Sequence, residues 1–266
     1  MTGRPPSAVA QVIRVRQGAA APDVRTVPDE TAVAIVHDAS TYAVMMATPA
    51  DLEDLAIGLS LTEGVIGAPS DVQGFELSES ELGIEARLWL VPQRAAALAR
   101  RRRMMAGPTG CGLCGVESLE EVRRTPSRPL FDIAPLTAAQ IQTAMAELAS
   151  VQTLGQATRA VHAAGFWTAE RGLLLAREDV GRHNAVDKLA GAMARRGLEA
   201  AGVLLLTSRV SVELVQKAAA MGAPVIAAVS APTRLAIATA DAAGVTLAAV
   251  VRADGFEIFS HPRRVA

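Results

Sequence analysis

Apolar and polar residues alternate at positions 9–15, 32–37 and 42–46, a period of two that predicts β-strands with one buried face. The period then lengthens. Leu52, Leu55, Ala56, Leu59 and Thr62 recur at helical spacing behind Thr48-Pro49. Asp51, Glu53 and Asp54 stand near the positive end of that helix, and Glu63-Gly64 closes it. Strands are expected at 74–77 and 84–91, then an alanine- and arginine-rich helix over 94–105. From Thr137 onward helices and strands alternate. Thr137 and Gln140 form a capping box for a helix through Leu148, and segments 165–169 and 172–177 read as a hairpin about Glu170-Arg171. Helices over 184–196, 210–221 and 232–243 separate strands at 203–206, 225–229 and 245–251, with a last strand at 256–259. Short strands that are apolar at every position need cover on both faces, which implies parallel pairing between helix layers. The expected class is α/β: a layered core with a mixed sheet over residues 136–266, preceded by a smaller α+β region over 1–135.

Composition narrows the function classes. A chain of 266 residues can bury a substantial core. Its 26 Lys and Arg against 27 Asp and Glu leave a formal charge of −1, so no global field argues for nucleic acid or an anionic membrane. No apolar run approaches the ~18 residues of a membrane span. The first residues lead into a short alternating segment rather than the apolar core of an export signal, so a cytoplasmic protein is expected, its thiols reduced between turnovers.

The only two cysteines, Cys111 and Cys114, lie together in the glycine-rich run 107–115. Flanking glycines bring no side chains to bury, so the pair reads as a site rather than core filling. Two thiolates cannot make a four-cysteine zinc site within one chain, which leaves redox, persulfide-carrying and partial metal-ligand readings open. Just upstream, Arg100 to Arg103 suit the negative end of a helix dipole; the same charge would lower a nearby thiol pKa or dock an acidic partner.

Three further segments carry polar residues that a core does not need. The run from Arg177 to Lys188 leaves a strand and enters a helix, where Asn184 or His183 can cap, and such strand-to-helix turns are where open α/β sheets place ligands. Thr207-Ser208-Arg209-Val210-Ser211 and Ser230-Ala231-Pro232-Thr233-Arg234 each set hydroxyls, backbone amides and an arginine at a helix start, a recipe for anion binding. Neither is a P-loop or a dinucleotide fingerprint. In the tail, Arg252-Ala253-Asp254-Gly255 suggests a hairpin corner, with Asp254 able to accept from a guanine edge and Arg252 to meet phosphate.

Together these segments resemble the FdhD family of formate dehydrogenase accessory sulfurtransferases. The resemblance is carried by Met46-Ala47-Thr48-Pro49, by Leu55-Ala56-Ile57-Gly58 with Glu63-Gly64, and by the Cys111 to Cys114 loop. It continues through the run from Glu178 to Lys188, Thr207-Ser208-Arg209 with Glu213 and Lys217, and His261-Pro262. The long charged run is far more specific than any CxxC pair. The resemblance implies a carrier that takes sulfane sulfur from a cysteine desulfurase and delivers it to molybdenum or tungsten in the bis(molybdopterin guanine dinucleotide) cofactor, before that cofactor enters the formate dehydrogenase apoenzyme. It further implies a cytidine-deaminase-like core and a homodimer; no metal ligands are expected in the chain. Cys111 is the implied persulfide bearer, with Cys114 in a resolving or protecting role. Val250, Val251, Arg252, Ala253, Asp254 and Gly255 are the implied cofactor-binding segment, with Val250 where members often carry an aromatic residue. A zinc deaminase would also use C-x-x-C, but its H-x-E and P-C-x-x-C elements are missing: Gly110 precedes Cys111, and neither His37 nor His183 has a glutamate two residues on. A cofactor chaperone without thiol chemistry is the remaining alternative.

Overall fold

The computed structural model describes residues 3–105 and 129–266, with side chains up to Arg100 in the first stretch. Cys111, Cys114 and their glycine-rich run lie outside the described residues. The first alternating segment is one strand of a ribbon, β1 (Ser7–Arg16) paired antiparallel with β2 (Ala19–Pro28). The pattern does not announce β2, because Ala19 to Pro22 show no alternation and Pro22 and Pro28 read as breakers. A two-stranded ribbon leaves β2 with a free edge, where proline forfeits no ladder bond.

The next strands, β3 (Thr31–His37), β4 (Ser40–Ala47), β5 (Val72–Ser80) and β6 (Gly83–Leu90), form a sheet of order β4-β3-β6-β5 in which only β3 and β6 are parallel. Its inner residues Val33, Ile35, Ile84, Ala86 and Leu88 pack on Leu52, Leu55, Ala56 and Leu59 of helix α1 (Leu52–Thr62). Helix α2 (Pro92–Met105) follows β6 and adds Leu98 to that core. The helical spacing behind Thr48-Pro49 places the helix correctly but its start too early. Asp51 adopts φ 54, left-handed, and the helix begins at Leu52.

The second half builds a six-stranded sheet from β7 (His162–Thr168), β8 (Gly172–Asp179), β9 (Val203–Leu206), β10 (Val225–Ala228), β11 (Thr246–Arg252) and β12 (Gly255–Ser260), in the order β12-β11-β10-β9-β7-β8. β9, β10 and β11 are parallel, while β7, β8 and β12 join antiparallel. Its helices are α3 (Ala138–Val151), the short α4 (Thr153–Thr158), α5 (Arg182–Arg195), α6 (Val212–Met221) and α7 (Arg234–Ala243). Leu204, Leu206, Ile226, Ala228, Leu247 and Ala249 share one core with residues of α5, α6 and α7. Val203, Leu205, Val225 and Ala227 share another with Ile141, Ala144 and Leu148 of α3. Cover on both faces is why these strands are apolar throughout, and each fully buried Leu or Ile contributes about 1.5–3 kcal/mol.

The two sheets are joined where α1 crosses α5. A Cβ on Gly58 would lie 1.7 Å from the Asp187 carbonyl oxygen, and one on Gly191 would lie 2.0 Å from that of Asp54. Both positions admit only glycine, so the helix backbones touch. This approach brings polar residues of the first half against the charged run of the second.

Candidate functional site at one edge of the six-stranded sheet

Strand direction decides which loops meet. β9, β10 and β11 run parallel and end on one side of the sheet, and β7 and β8 bring His162 and Asp179, paired in register, to that same side. The pairing of Ala164 with Leu206 sets the start of β7 beside the turn after β9. Thr207 seals that junction: its N–H donates to the Ala163 carbonyl at 3.1 Å and its Oγ1 accepts from the Ala163 N–H at 2.8 Å. Val210 bridges to Pro232, and the Thr233 N–H donates to the Val210 carbonyl at 3.0 Å. That bridge delays α6 to Val212, two residues later than its apolar pattern suggests. The edge therefore collects His162, the first turn of α5, the 207–211 and 230–234 turns and the β11–β12 hairpin, the side on which α/β sheets carry ligands.

The charged run divides in two along its length. Asp179, Asn184, Asp187 and Lys188 are buried, and they face the first half of the chain. The fully buried Asp179 carboxylate accepts from Lys188 Nζ at 2.6 Å and the Thr48 N–H at 3.1 Å through one oxygen. Through the other it accepts from the Gly181 N–H at 2.7 Å and Asn184 Nδ2 at 3.0 Å. Lys188 also donates to the Thr48 carbonyl at 2.9 Å, Asn184 Nδ2 to the Met46 carbonyl at 2.8 Å, and the Val180 N–H to Thr48 Oγ1 at 3.1 Å. Burial pushes the Lys188 pKa down while the Asp179 carboxylate opposes it. One turn on, Asp187 accepts from Lys217 Nζ at 2.7 and 2.9 Å and from Thr62 Oγ1 at 2.7 Å, with burial raising the Asp187 pKa against the pull of Lys217. Asp54 of α1 takes Arg177 at 2.8 Å and Arg195 at 2.6 Å. Glu178 turns the other way and caps α4, accepting from the Leu154 and Gly155 N–H groups at 2.9 and 2.7 Å.

This arrangement corrects two expectations. The N-cap of α5 is Gly181, without a side-chain cap, and neither Asn184 nor His183 fills that role. Asn184 is drawn inward because Met46 and Asp179 offer it two acceptors in a buried setting. The run from Arg177 to Lys188 is also not a ligand loop throughout, since Asp179, Asp187 and Lys188 are consumed in buried pairs and Glu178 in capping α4.

Only Arg182 and His183 remain for the edge. Arg182 Nε is buried with no hydrogen-bond partner among the described residues. His183 Nε2 shares a hydrogen bond with Ser211 Oγ at 3.2 Å, so Ser211, the N-cap residue of α6, does not use its side chain as a cap. Burial, then the Arg182 guanidinium, lowers the His183 pKa to about 4, leaving a neutral imidazole at pH 7. Burial, followed by the charges of Arg182 and Arg209, likewise lowers that of His162. Arg209 is exposed. At neutral pH the edge thus offers two guanidinium groups, two imidazoles held neutral and the amides of two helix starts, against one carboxylate, Glu213, 3.9 Å from His183 Nε2, a balance that favours an anion.

The tail segment completes this edge. β11 and β12 form the expected hairpin, with Arg252 paired to Gly255. Val251 is buried, whereas Arg252, Ala253 and Asp254 are exposed. Gln142 of α3 holds the corner by donating to the Arg252 and Ala253 carbonyls at 3.3 and 2.8 Å. Arg252 Nη1 donates to the Val229 carbonyl, tying the corner to the turn after β10. Val250 adopts φ 56, left-handed and costly for a β-branched residue, where the register of the hairpin shifts. Gln142 and His162 are the edge residues that sequence reasoning missed. The signal for His162 was its position at the start of a strand leading into the hairpin; Gln142 sits on a helix face that gave none. A cavity of about 440 Å³ opens elsewhere, among Thr62, Phe131, Met193, Leu198 and Met221, and among the described residues that line it only the exposed Glu199 is charged. Among the described residues no His, Cys, Asp and Glu side chains cluster in threes to hold a metal, and no helix is long and apolar enough to cross a membrane.

The model of the FdhD/NarQ family matches residues 28–266, a span that includes the edge, the buried pairs and both cysteines. The chain belongs to the FdhD/NarQ family. Among its FdhD/NarQ relatives, the sulfur carrier protein FdhD of Agrobacterium fabrum is 50% identical over 252 residues, covering 94% of this chain and 93% of its own. That of Cupriavidus necator is 48% identical over 96% of this chain and 88% of its own. The crystal structure of a protein described as a formate dehydrogenase accessory protein, from Desulfotalea psychrophila, superposes with a TM-score of 0.76 at 26% identity, covering 98% of this chain and all of that one. The FdhD/NarQ match thus extends from sequence to fold.

Proposed function

We propose that this chain is a sulfur carrier that receives persulfide sulfur on Cys111 from a cysteine desulfurase and passes it to the molybdenum or tungsten of a bis(molybdopterin guanine dinucleotide) cargo, which formate dehydrogenase requires. The observation that carries this reading is the 50% identity, over nine-tenths of both chains, to a relative named as a sulfur carrier. The edge supports the cargo half of it. Arg182 and Arg209 suit a pyrophosphate, and the exposed Asp254 suits the donor edge of guanine, with Val250 to Gly255 supplying backbone groups between them.

In the first step the Cys111 thiolate attacks the outer sulfur of the desulfurase persulfide, and the desulfurase cysteine leaves as a thiolate. In the second, the Cys114 thiolate attacks the inner sulfur of Cys111-S-SH. A Cys111–Cys114 disulfide forms, hydrosulfide leaves toward the metal, and a cellular thiol reduces the disulfide before the next turnover. We read the core as cytidine-deaminase-like in its layering, with the smaller region over 1–135 and the cargo-binding core over 136–266, working as a cytoplasmic homodimer. Mass spectrometry after incubation with a desulfurase and cysteine is expected to show adducts of about 32 Da on the peptide bearing Cys111. Restoration of formate dehydrogenase activity in a deletion strain by a Cys111→Ala, Cys114→Ala variant would instead make the chain a cofactor chaperone.

A further inference from the structure

The Asp179 carboxylate is fully buried, and four donors from three places converge on it. Two of them, the Gly181 N–H and Asn184 Nδ2, fix the turn that opens α5. The other two, the Thr48 N–H and Lys188 Nζ, fix that turn to the strap leaving β4, whose Met46 and Thr48 carbonyls are taken by Asn184 and Lys188. The turn closes tightly, since a Cβ on Gly181 would lie 2.7 Å from Asn184 Nδ2 and 3.3 Å from Asp179 Oδ1. Arg182 and His183 follow at once, and their direction is set by the peptide planes that this carboxylate holds. The Arg182 Nε is buried with no partner among the described residues, which is costly, and the fixed turn behind it holds the guanidinium there.

We propose that Asp179 is a positioning residue of the cargo edge, acting through Arg182 and His183 and holding their turn against the Met46–Thr48 strap with Lys188 as its counter-charge. The consequence for cargo rests on the sulfur-carrier reading; the positioning itself does not. Asp179 presents the anion-binding pair as a preorganised unit, so that binding need not order it.

The test removes both buried charges together, with Asp179→Asn and Lys188→Met in one variant, and compares it with Asp54→Asn. The latter weakens the α1–α5 contact without touching the Gly181 turn. Two readouts are taken on the folded proteins. The first is the NMR titration of His183, one of only four histidines. Arg182, Lys217, Glu213 and His162 are the charged and titratable groups acting on it, and none of them is altered. In the wild type and in Asp54→Asn it is expected to titrate at about 4, and in the double variant its midpoint is expected to move back toward 6.5. The second is GDP affinity, expected to fall about tenfold or more in the double variant and to stay within about twofold in Asp54→Asn. If the double variant does not fold, Asn184→Ala cuts the same turn more gently and is expected to move both readouts in the same direction. A His183 midpoint that stays at about 4 in the variant cut at this turn overturns the positioning role. Wild-type protein that does not bind GDP overturns the cargo reading instead, and the titration still decides the role of Asp179.

Discussion

The α1–α5 contact and the edge of the six-stranded sheet draw on the same charged run and use it in opposite ways. At the contact, Asp54, Asp179, Asp187, Lys188 and Lys217 are buried and each meets an opposite charge. A few residues away, Arg182 and Arg209 stand where they depress the pKa of His162, and Arg182 does the same to His183. Charge at the contact is neutralised within the fold; at the edge Glu213 answers the guanidinium groups only in part, and a positive excess is left for something outside it. Buried pairs add little net stability over a well-packed apolar alternative, but breaking one is costly, so they specify a single mutual placement of the two sheets. The edge inherits its geometry from that placement.

The sharpest way to break this comparison is to orphan a charge at the contact. Asp187→Ala leaves Lys217 buried without its carboxylate and is expected to lower stability by about 3–5 kcal/mol, measured by denaturant unfolding. Adding Lys217→Met to it is expected to restore all but about 1 kcal/mol. Equal losses in the single and double variants would mean that packing alone holds the contact. Next in size is Gly191→Ala, whose Cβ would meet the Asp54 carbonyl at 2.0 Å. A backbone atom cannot swing away, so a loss of about 3 kcal/mol is expected. A loss below about 1 kcal/mol would show that the helices can separate without penalty.

What the sequence revealed and what it hid follow from this division. The apolar strands 203–206 and 225–229 and the helices between them were legible because cover on both faces leaves a continuous hydrophobic signature. The clustering of the 207–211, 230–234 and 250–255 turns was legible as a rule of parallel sheets. The fate of Asp179, Asp187 and Lys188 was not. An ionisable residue is written the same way whether it faces water or a buried partner, and here Thr48, Thr62 and Lys217, distant in the chain, supply partners of Asp179, Asp187 and Lys188. Gly58 and Gly191 inside helical patterns were the trace of that contact, because a mid-helix glycine marks a close approach. The Cys111 to Cys114 segment lies outside the described residues, so its chemistry rests on sequence and family.

The edge makes a prediction that the contact opposes. His183 has a folded pKa of about 4 against its usual 6.5, so between those values the unfolded chain binds the proton and the folded one does not. Its contribution is therefore fully present above pH 6.5 and is lost as pH falls toward 4. A shift of that size corresponds to about 3 kcal/mol, and partial exposure of the imidazole reduces the expected effect to about 1–2 kcal/mol. Asp187, raised by burial against the pull of Lys217, would act with the opposite sign, and its contribution is common to wild type and to a variant at position 183. The two are separated by comparing wild type with His183→Gln from pH 7 to pH 5. The variant is expected to lose less stability over that interval, and parallel curves would remove His183 from the account.

The smallest expected effect falls on Val250, and it tests whether the edge sacrifices stability for conformation. A β-branched residue at φ 56 costs about 1–3 kcal/mol in strain, whereas asparagine tolerates the left-handed region. Val250 also packs in part against the core shared by α5, α6 and α7, so Val250→Asn gives up some apolar burial. The difference is expected to be a net gain of about 0.5 kcal/mol in unfolding free energy. GDP affinity is expected to stay within about twofold, because the segment would meet its cargo through the backbone conformation that asparagine keeps. A loss of more than about 1 kcal/mol would mean that side-chain packing, not an imposed backbone shape, decides this position. The edge would then be held together by the same forces as the contact, and the contrast between them would narrow to charge alone.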